Sequence, residues 1–296
     1  MCEIGYLAQV RRLRPVIHCI TNYVTANDVA NLILAAGASP IMADGIREVE
    51  DIEAISQGLV LNLGTLKETA IDSMLLAGKT AAALGHPVVL DPVGVGASSF
   101  RRETALRILG EVPCAVIRGN ASEIRALALG TAYSCGVDAD GREALTNENR
   151  QQTIALMQEL SRKTGAAIVM TGAMDVVADE NQVCLVKNGH PMMGQITGSG
   201  CMLDGILAAF LAAGSVNGPA ETYRRQEGRN DGVLTAASLR FRQVVYAVAA
   251  HGICGELAYE KTAQAGQGAG SFRVHMIDSM SVLTDKEIRR GMKIEV

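Results

Sequence analysis

The feature that most constrains the fold is alternation. Short apolar runs at residues 16–20, 38–42, 59–63, 87–92, 115–117 and 166–170 have the length and β-branched content of buried strands. Stretches of helical spacing separate them, over 27–36, 48–56, 67–84, 101–109, from Glu123 onward, and 151–163. Gly37 and Gly85 mark two of the helix ends. Strands divided by helices require crossover connections, which give a parallel sheet covered on both faces. Residues 174–179 and 182–186 alternate around Glu180-Asn181 as a β-hairpin, adding antiparallel strands at one edge. An apolar helix follows over 202–213, then a long helix over 236–262, a glycine-rich loop at 266–270 and a last helical segment near Ser279. The expected architecture is a three-layer α/β fold with a mostly parallel central sheet. Without linker or repeat, residues 1–296 are expected to form one domain.

Composition narrows the function. The chain is 48% hydrophobic but only 3% aromatic, with no Trp, which suits aliphatic helices packed on a sheet. A net charge of -4 with no basic run argues against a nucleic-acid surface and favours small-molecule partners. The seven cysteines include no C-x-x-C pair and no metal-type His spacing, so they are expected to be reduced thiols. The N-terminal stretch has amphipathic rather than secretory spacing. The longest apolar run, near 206–213, is well short of the roughly 20 residues of a membrane span. A cytoplasmic protein that binds no membrane is expected.

Thr197-Gly198-Ser199-Gly200-Cys201 opens directly onto the apolar helix. Glycines let the backbone bring successive N–H groups against a ligand, and the helix start adds unpaired amides and a positive dipole end. That combination traps anions, phosphate above all.

In an open α/β sheet, ligands sit beyond the carboxyl ends of the strands. The polar residues there are Thr21 and Asn22, Met42 with Asp44, Asn62, Asp91, Arg118 with Asn120 and Glu123, and Thr171. Asp91 ends a wholly apolar strand, so its carboxylate needs a cation, a donor or water. Glu123 also fits a favourable charge in the first turn of a helix. Together the two carboxylates are what Mg²⁺ on a nucleotide would use.

Four segments, in order, carry a resemblance. Ile20-Thr21-Asn22-Tyr23-Val24-Thr25, Asp91-Pro92-Val93-Gly94-Val95-Gly96-Ala97, Arg118-Gly119-Asn120-Ala121-Ser122-Glu123 and Thr197-Gly198-Ser199-Gly200-Cys201 closely resemble hydroxyethylthiazole kinases, of the ribokinase-like superfamily. The resemblance runs from about Val16 to Ala213 and resumes near Gly270-Ser271-Phe272-Arg273. It implies transfer of the ATP γ-phosphate to the hydroxyl of 4-methyl-5-(2-hydroxyethyl)thiazole in thiamine salvage, by a homotrimer with interfacial pockets. By position, Met42 and Gly198 would contact the thiazole, with Asn22 near its hydroxyethyl arm. Arg118 and Thr171 would contact ATP, and Asp91 and Glu123 would act on Mg²⁺, chiefly through waters. Gly198, Ser199, Gly200 and Cys201 would form the catalytic turn.

Much of that superfamily has Asp, the proton acceptor, where this chain has Cys201. Thiazole kinases commonly carry Cys there, and phosphoryl transfer depends more on positioning and charge neutralisation than on proton removal. Asp204, one helical turn on, could share the face of Cys201 but has no assigned role. Residues 131–149 and 216–231 look longer than the family norm. The rival readings are another ribokinase-like kinase, acting on a hydroxymethylpyrimidine or a sugar, and a noncatalytic nucleotide-binding module. The dinucleotide fingerprint G-x-G-x-x-G and the P-loop G-x-x-x-x-G-K-[ST] are both missing where they belong.

Overall fold

The apolar runs pair edge to edge into a single sheet. The computed structural model describes residues 5–130, 149–215 and 236–296. Of the two long stretches noted above, 131–149 falls outside the described residues except for Asn149, and 216–231 falls wholly outside them.

The first half of the chain runs α1 (Tyr6–Leu13), β1 (Val16–Ile20), α2 (Ala26–Ala36), β2 (Ser39–Met42), α3 (Val49–Ala54), β3 (Gly58–Asn62), α4 (Glu68–Leu84), β4 (Val88–Asp91), α5 (Ser99–Glu111), β5 (Val116–Asn120) and α6 (Ala121–Leu129). After it come α7 (Arg150–Thr164), β6 (Ala167–Thr171), β7 (Asp175–Ala178), β8 (Val183–Val186), a 3-10 turn at Pro191–Gln195 and α8 (Ser199–Ser215). The last elements are α9 (Ala236–Gln264), α10 (Ala269–Val282), α11 (Asp285–Gly291) and β9 (Ile294–Glu295). The strand order is β2-β1-β3-β4-β5-β6-β7-β8-β9. The first six are parallel, and β7, β8 and β9 join antiparallel at one edge.

Two aliphatic layers sandwich the sheet. On one face Val60, Val89, Val116 and Val169 pack with residues of α2, α8, α9 and α10. On the other, Leu59, Leu61, Leu90, Ile117 and Ile168 pack with residues of α4, α5, α6 and α7. Burial on both sides explains why these strands read as continuous apolar runs rather than alternating ones.

This packing also fixes where the polar strand ends point. Side chains two apart share a face, so Asn62, Asp91, Arg118 and Thr171 lie on the face of Val60, Val89, Val116 and Val169. That is the face covered by α8, and the register pairs Asn62 with Asp91 and Asn120 with Thr171.

The structure differs from the sequence reading in four places. Strand β5 continues past Ile117 through Arg118 to Asn120, because β6 pairs with it residue by residue up to Thr171. Helix α8 begins at Ser199 rather than Met202, so Gly200 and Cys201 belong to its first turn. The loop expected over 266–270 is shorter, since Ala269 and Gly270 already belong to α10. Finally, α11 and β9 had no counterpart in the reading. Helix α11 has seven residues and β9 two, both too short to show a period. Among the described residues no helix is long and apolar enough to cross a membrane.

Candidate active site

At the carboxyl ends of β1, β3, β4, β5 and β6, the anion turn faces the strand tips across a cleft of about 650 Å³. The turn depends on two glycines. Gly198 has φ +85°, and a Cβ there would fall 2.3 Å from Thr25 Cγ2, so both its conformation and its close approach to α2 need glycine. A Cβ on Gly200 would fall 2.5 Å from Arg118 Nη1, which shows how closely the guanidinium underlies the turn. The first helical bond of α8, Met202 N–H to the Gly198 carbonyl, is 2.9 Å long. The amides of Ser199, Gly200 and Cys201 precede it and are the donors a helix start leaves for an anion.

Below the turn lies a buried polar network. The Arg118 guanidinium, 6% exposed, donates from Nε to Asp204 Oδ1 and from Nη2 to Asp204 Oδ2, both at 2.8 Å. Nη2 also pairs with Asp91 Oδ2. Asn62 Nδ2 donates to Asp91 Oδ2 at 2.5 Å and to Asp204 Oδ2 at 3.3 Å, which places a neutral donor between two carboxylates. The same Nδ2 lies 3.3 Å from Cys201 Sγ, and Asn22 Nδ2 donates to that sulfur at 3.3 Å. The amide orientations are mutually fixed. Asn62 Oδ1 accepts from Gly64 N–H at 2.9 Å and from Asn22 Nδ2 at 3.1 Å, and Asn22 Oδ1 accepts from Thr25 N–H and Oγ1.

Burial pushes Asp91 well above the usual carboxylate range; Arg118 opposes this, while Asp204, Cys201 and Glu123 add to it. Burial works to lower Arg118, but Asp204 and Asp91 outweigh it and the guanidinium is held well above its ordinary value. Glu123 is raised by burial, against bonds from the Asn120 and Gly94 backbone. Its Oε1 accepts from Gly94 N–H and its Oε2 from Asn120 N–H, each at 2.8 Å, while Asn120 Oδ1 accepts from Glu123 N–H at 2.9 Å. This capping box ties the start of α6 to the loop after β4.

Asn22, Asp91, Arg118, Glu123, Thr171 and the residues Gly198, Ser199, Gly200 and Cys201 all line this one cleft. Thr171, the last residue of β6, donates from Oγ1 to the Gly119 carbonyl at 3.3 Å. Met42 stands apart. It ends β2 with its side chain 38% exposed and is not among the cleft residues. Thr25, which buttresses Gly198, and Asp204, wholly buried under Cys201, were assigned no role from sequence. A lone carboxylate inside the apolar run of α8 was the available signal for Asp204, since such a charge must be paired.

Asp91 Oδ1 is buried without a hydrogen-bond partner. An oxygen in that state fits a hard divalent cation, and Glu123, both of whose oxygens already accept a backbone N–H, fits contact through water.

A model of the hydroxyethylthiazole kinase family matches residues 7–221. The hydroxyethylthiazole kinase of Clostridium acetobutylicum is 49% identical over 289 residues, covering 98% of this chain and 97% of that one. Among solved structures, that of a hydroxyethylthiazole kinase from Pyrococcus horikoshii superposes with a TM-score of 0.77 at 31% identity, covering 98% of this chain and 96% of the other. A ribokinase-like superfamily protein from Enterococcus faecalis shares the fold, with a TM-score of 0.58 at 14% identity over 98% and 90% of the two chains.

Proposed function

The chain belongs to the hydroxyethylthiazole kinase family, and from that premise we propose that it transfers the ATP γ-phosphoryl group to the hydroxyl of 4-methyl-5-(2-hydroxyethyl)thiazole. The observation that carries this reading is the anion turn set against the Arg118–Asp91–Asp204 network in one cleft. The alcohol oxygen attacks the γ-phosphorus, the bond to the bridging oxygen breaks, and ADP leaves. Amides of Ser199, Gly200 and Cys201 face the charge that develops on the phosphoryl oxygens, together with Arg118. As a thiolate, Cys201 Sγ takes the hydroxyl proton and becomes the thiol, whose sulfur lies 3.9 Å from Asp91 Oδ2. Asn22, bonded to that sulfur, holds the hydroxyethyl arm against it, and Thr171 with Arg118 positions the nucleotide. Asp91 and Glu123 would hold Mg²⁺, which when bound neutralises charge on the triphosphate.

A homotrimer with shared pockets is part of the proposal. Tyr23 and Val24 follow β1, Met42 ends the neighbouring β2 and Ile46 follows it, all four exposed, and a second chain covering them would bring Met42 to a thiazole ring. A cytoplasmic location completes the reading. A panel of the thiazole alcohol, a hydroxymethylpyrimidine and a sugar, each with ATP and Mg²⁺, tests it. The thiazole alcohol should give the highest kcat/KM and a phosphomonoester product. A preference for another alcohol would assign the site to a different kinase.

A further inference from the structure

Among the described residues Arg118 is the only cation bonded to the buried network described above, and how it is held decides where it points. A guanidinium offers two hydrogen-bonding edges, Nε with Nη2 and Nη2 with Nη1. Asp204 takes the first edge with both oxygens at 2.8 Å, a two-point grip that fixes the plane of the group as well as its position. Asp91 reaches only the shared Nη2. The remaining nitrogen, Nη1, is thereby aimed beneath Gly200, where a Cβ would come within 2.5 Å of it. Asn62 braces the far side, with Nδ2 3.3 Å from Asp204 Oδ2. Asp204 has no exposed surface and is not among the residues that line the cleft, so it acts through what it holds.

We propose that Asp204 is a positioning residue for phosphoryl transfer: it clamps the inner edge of Arg118 so that Nη1 faces the phosphate at the Gly198–Cys201 turn and Asp91 is left with an oxygen free for the cleft. This rests on the kinase reading. Losing the clamp lets the guanidinium swing toward Asp91, its one remaining anionic partner, which takes both groups out of place. Asp204 also carries a negative charge close to the nucleotide site, so ground-state attraction of ATP is not what it contributes.

The test is a double-mutant cycle in the full-length enzyme. Asp204→Asn keeps the volume but turns an NH₂ toward an Arg118 donor. It should lower kcat by about tenfold or more, while KM for ATP stays level or falls because a negative charge has gone. In an Arg118→Ala background the same change should cost less than about threefold, since coupled residues are not additive. Equal losses in both backgrounds, or a raised KM with unchanged kcat, would overturn the proposal. If Asp204→Asn does not fold, Asp204→Glu retains the charge and displaces the grip, and it should show the same kcat loss; wild-type kinetics there would overturn the clamp. Wild-type enzyme without alcohol-dependent ADP release would instead remove the kinase reading. The geometry is then decided by the Arg118 Nε–H signal in ¹⁵N NMR, which the clamp predicts to be slowed in exchange and lost in Asp204→Asn.

Discussion

Gly198→Ala is the sharpest perturbation of the anion turn, because its cost has two sources that can be separated. A side chain at φ +85° costs roughly 1–2 kcal/mol in backbone strain. The added Cβ would lie 2.3 Å from Thr25 Cγ2 and 2.7 Å from Thr25 Cβ, an overlap that costs roughly 1–3 kcal/mol when packing must give way. If the turn holds its place, the total of roughly 2–5 kcal/mol appears as a fall in Tm of about 3–8 °C in a chain of this length. If the turn moves instead, stability is partly recovered, but the amides shift off the phosphoryl group, and a displacement near 1 Å lowers kcat by about a hundredfold. Calorimetry and alcohol-dependent ADP release, run together, distinguish the two. Thr25→Ser removes the nearest methyl and keeps the oxygen that bonds Asn22 Oδ1 at 3.0 Å, so adding it to Gly198→Ala should restore part of the loss. The remainder belongs to φ and to the Thr25 Cβ. A folded Gly198→Ala enzyme with wild-type Tm and turnover would refute both the strain and the role of the turn.

Cys201→Ala should retain measurable kinase activity, since positioning and charge do most of the work, and Cys201→Asp should keep or raise it; a folded but inactive Cys201→Asp enzyme would count against a proton-accepting role. Glu123→Gln turns an NH₂ toward either the Gly94 or the Asn120 N–H, so about 1–2 kcal/mol of stability should be lost, read as a lower Tm at pH 7. Burial, with the charge of Arg118 adding to it, lowers His251 from 6.5 to about 4, against a bond to the Ser199 backbone. Between those values the unfolded chain takes up a proton that the folded chain refuses. The associated stability, roughly 3 kcal/mol, is full above pH 6.5 and lost as the pH falls toward 4. Between pH 7 and 5 the wild type should therefore lose more Tm than His251→Phe, and equal losses would contradict a buried neutral imidazole.

Much of the fold was legible because buried parallel strands carry their signal locally. Residues 16–20, 59–63 and 87–92 are apolar on both faces and bounded by polar exits, so length and composition suffice. The site was legible to the same depth, since Asp91 and Asn62 stand out where an apolar strand meets polar residues. What stayed hidden depends on partners distant in sequence. Arg118 reads locally as a loop residue, and it becomes a strand residue because β6 pairs with it and Asp204, 86 residues on, neutralises it. Strand β9 exists only because β8 offers an edge. Met42 carries the opposite lesson, for its exposure lies outside what a single chain's cleft can use.

The most direct test of the central claim is ADP release by the purified enzyme with ATP and Mg²⁺, measured with and without the hydroxyethylthiazole. A turn that grips the travelling phosphoryl group opposite an alcohol site predicts ADP formed one for one with the thiazole phosphate, and only slow hydrolysis when the alcohol is left out. ATP that binds in the cleft yet gives the same trace of ADP under both conditions would contradict it.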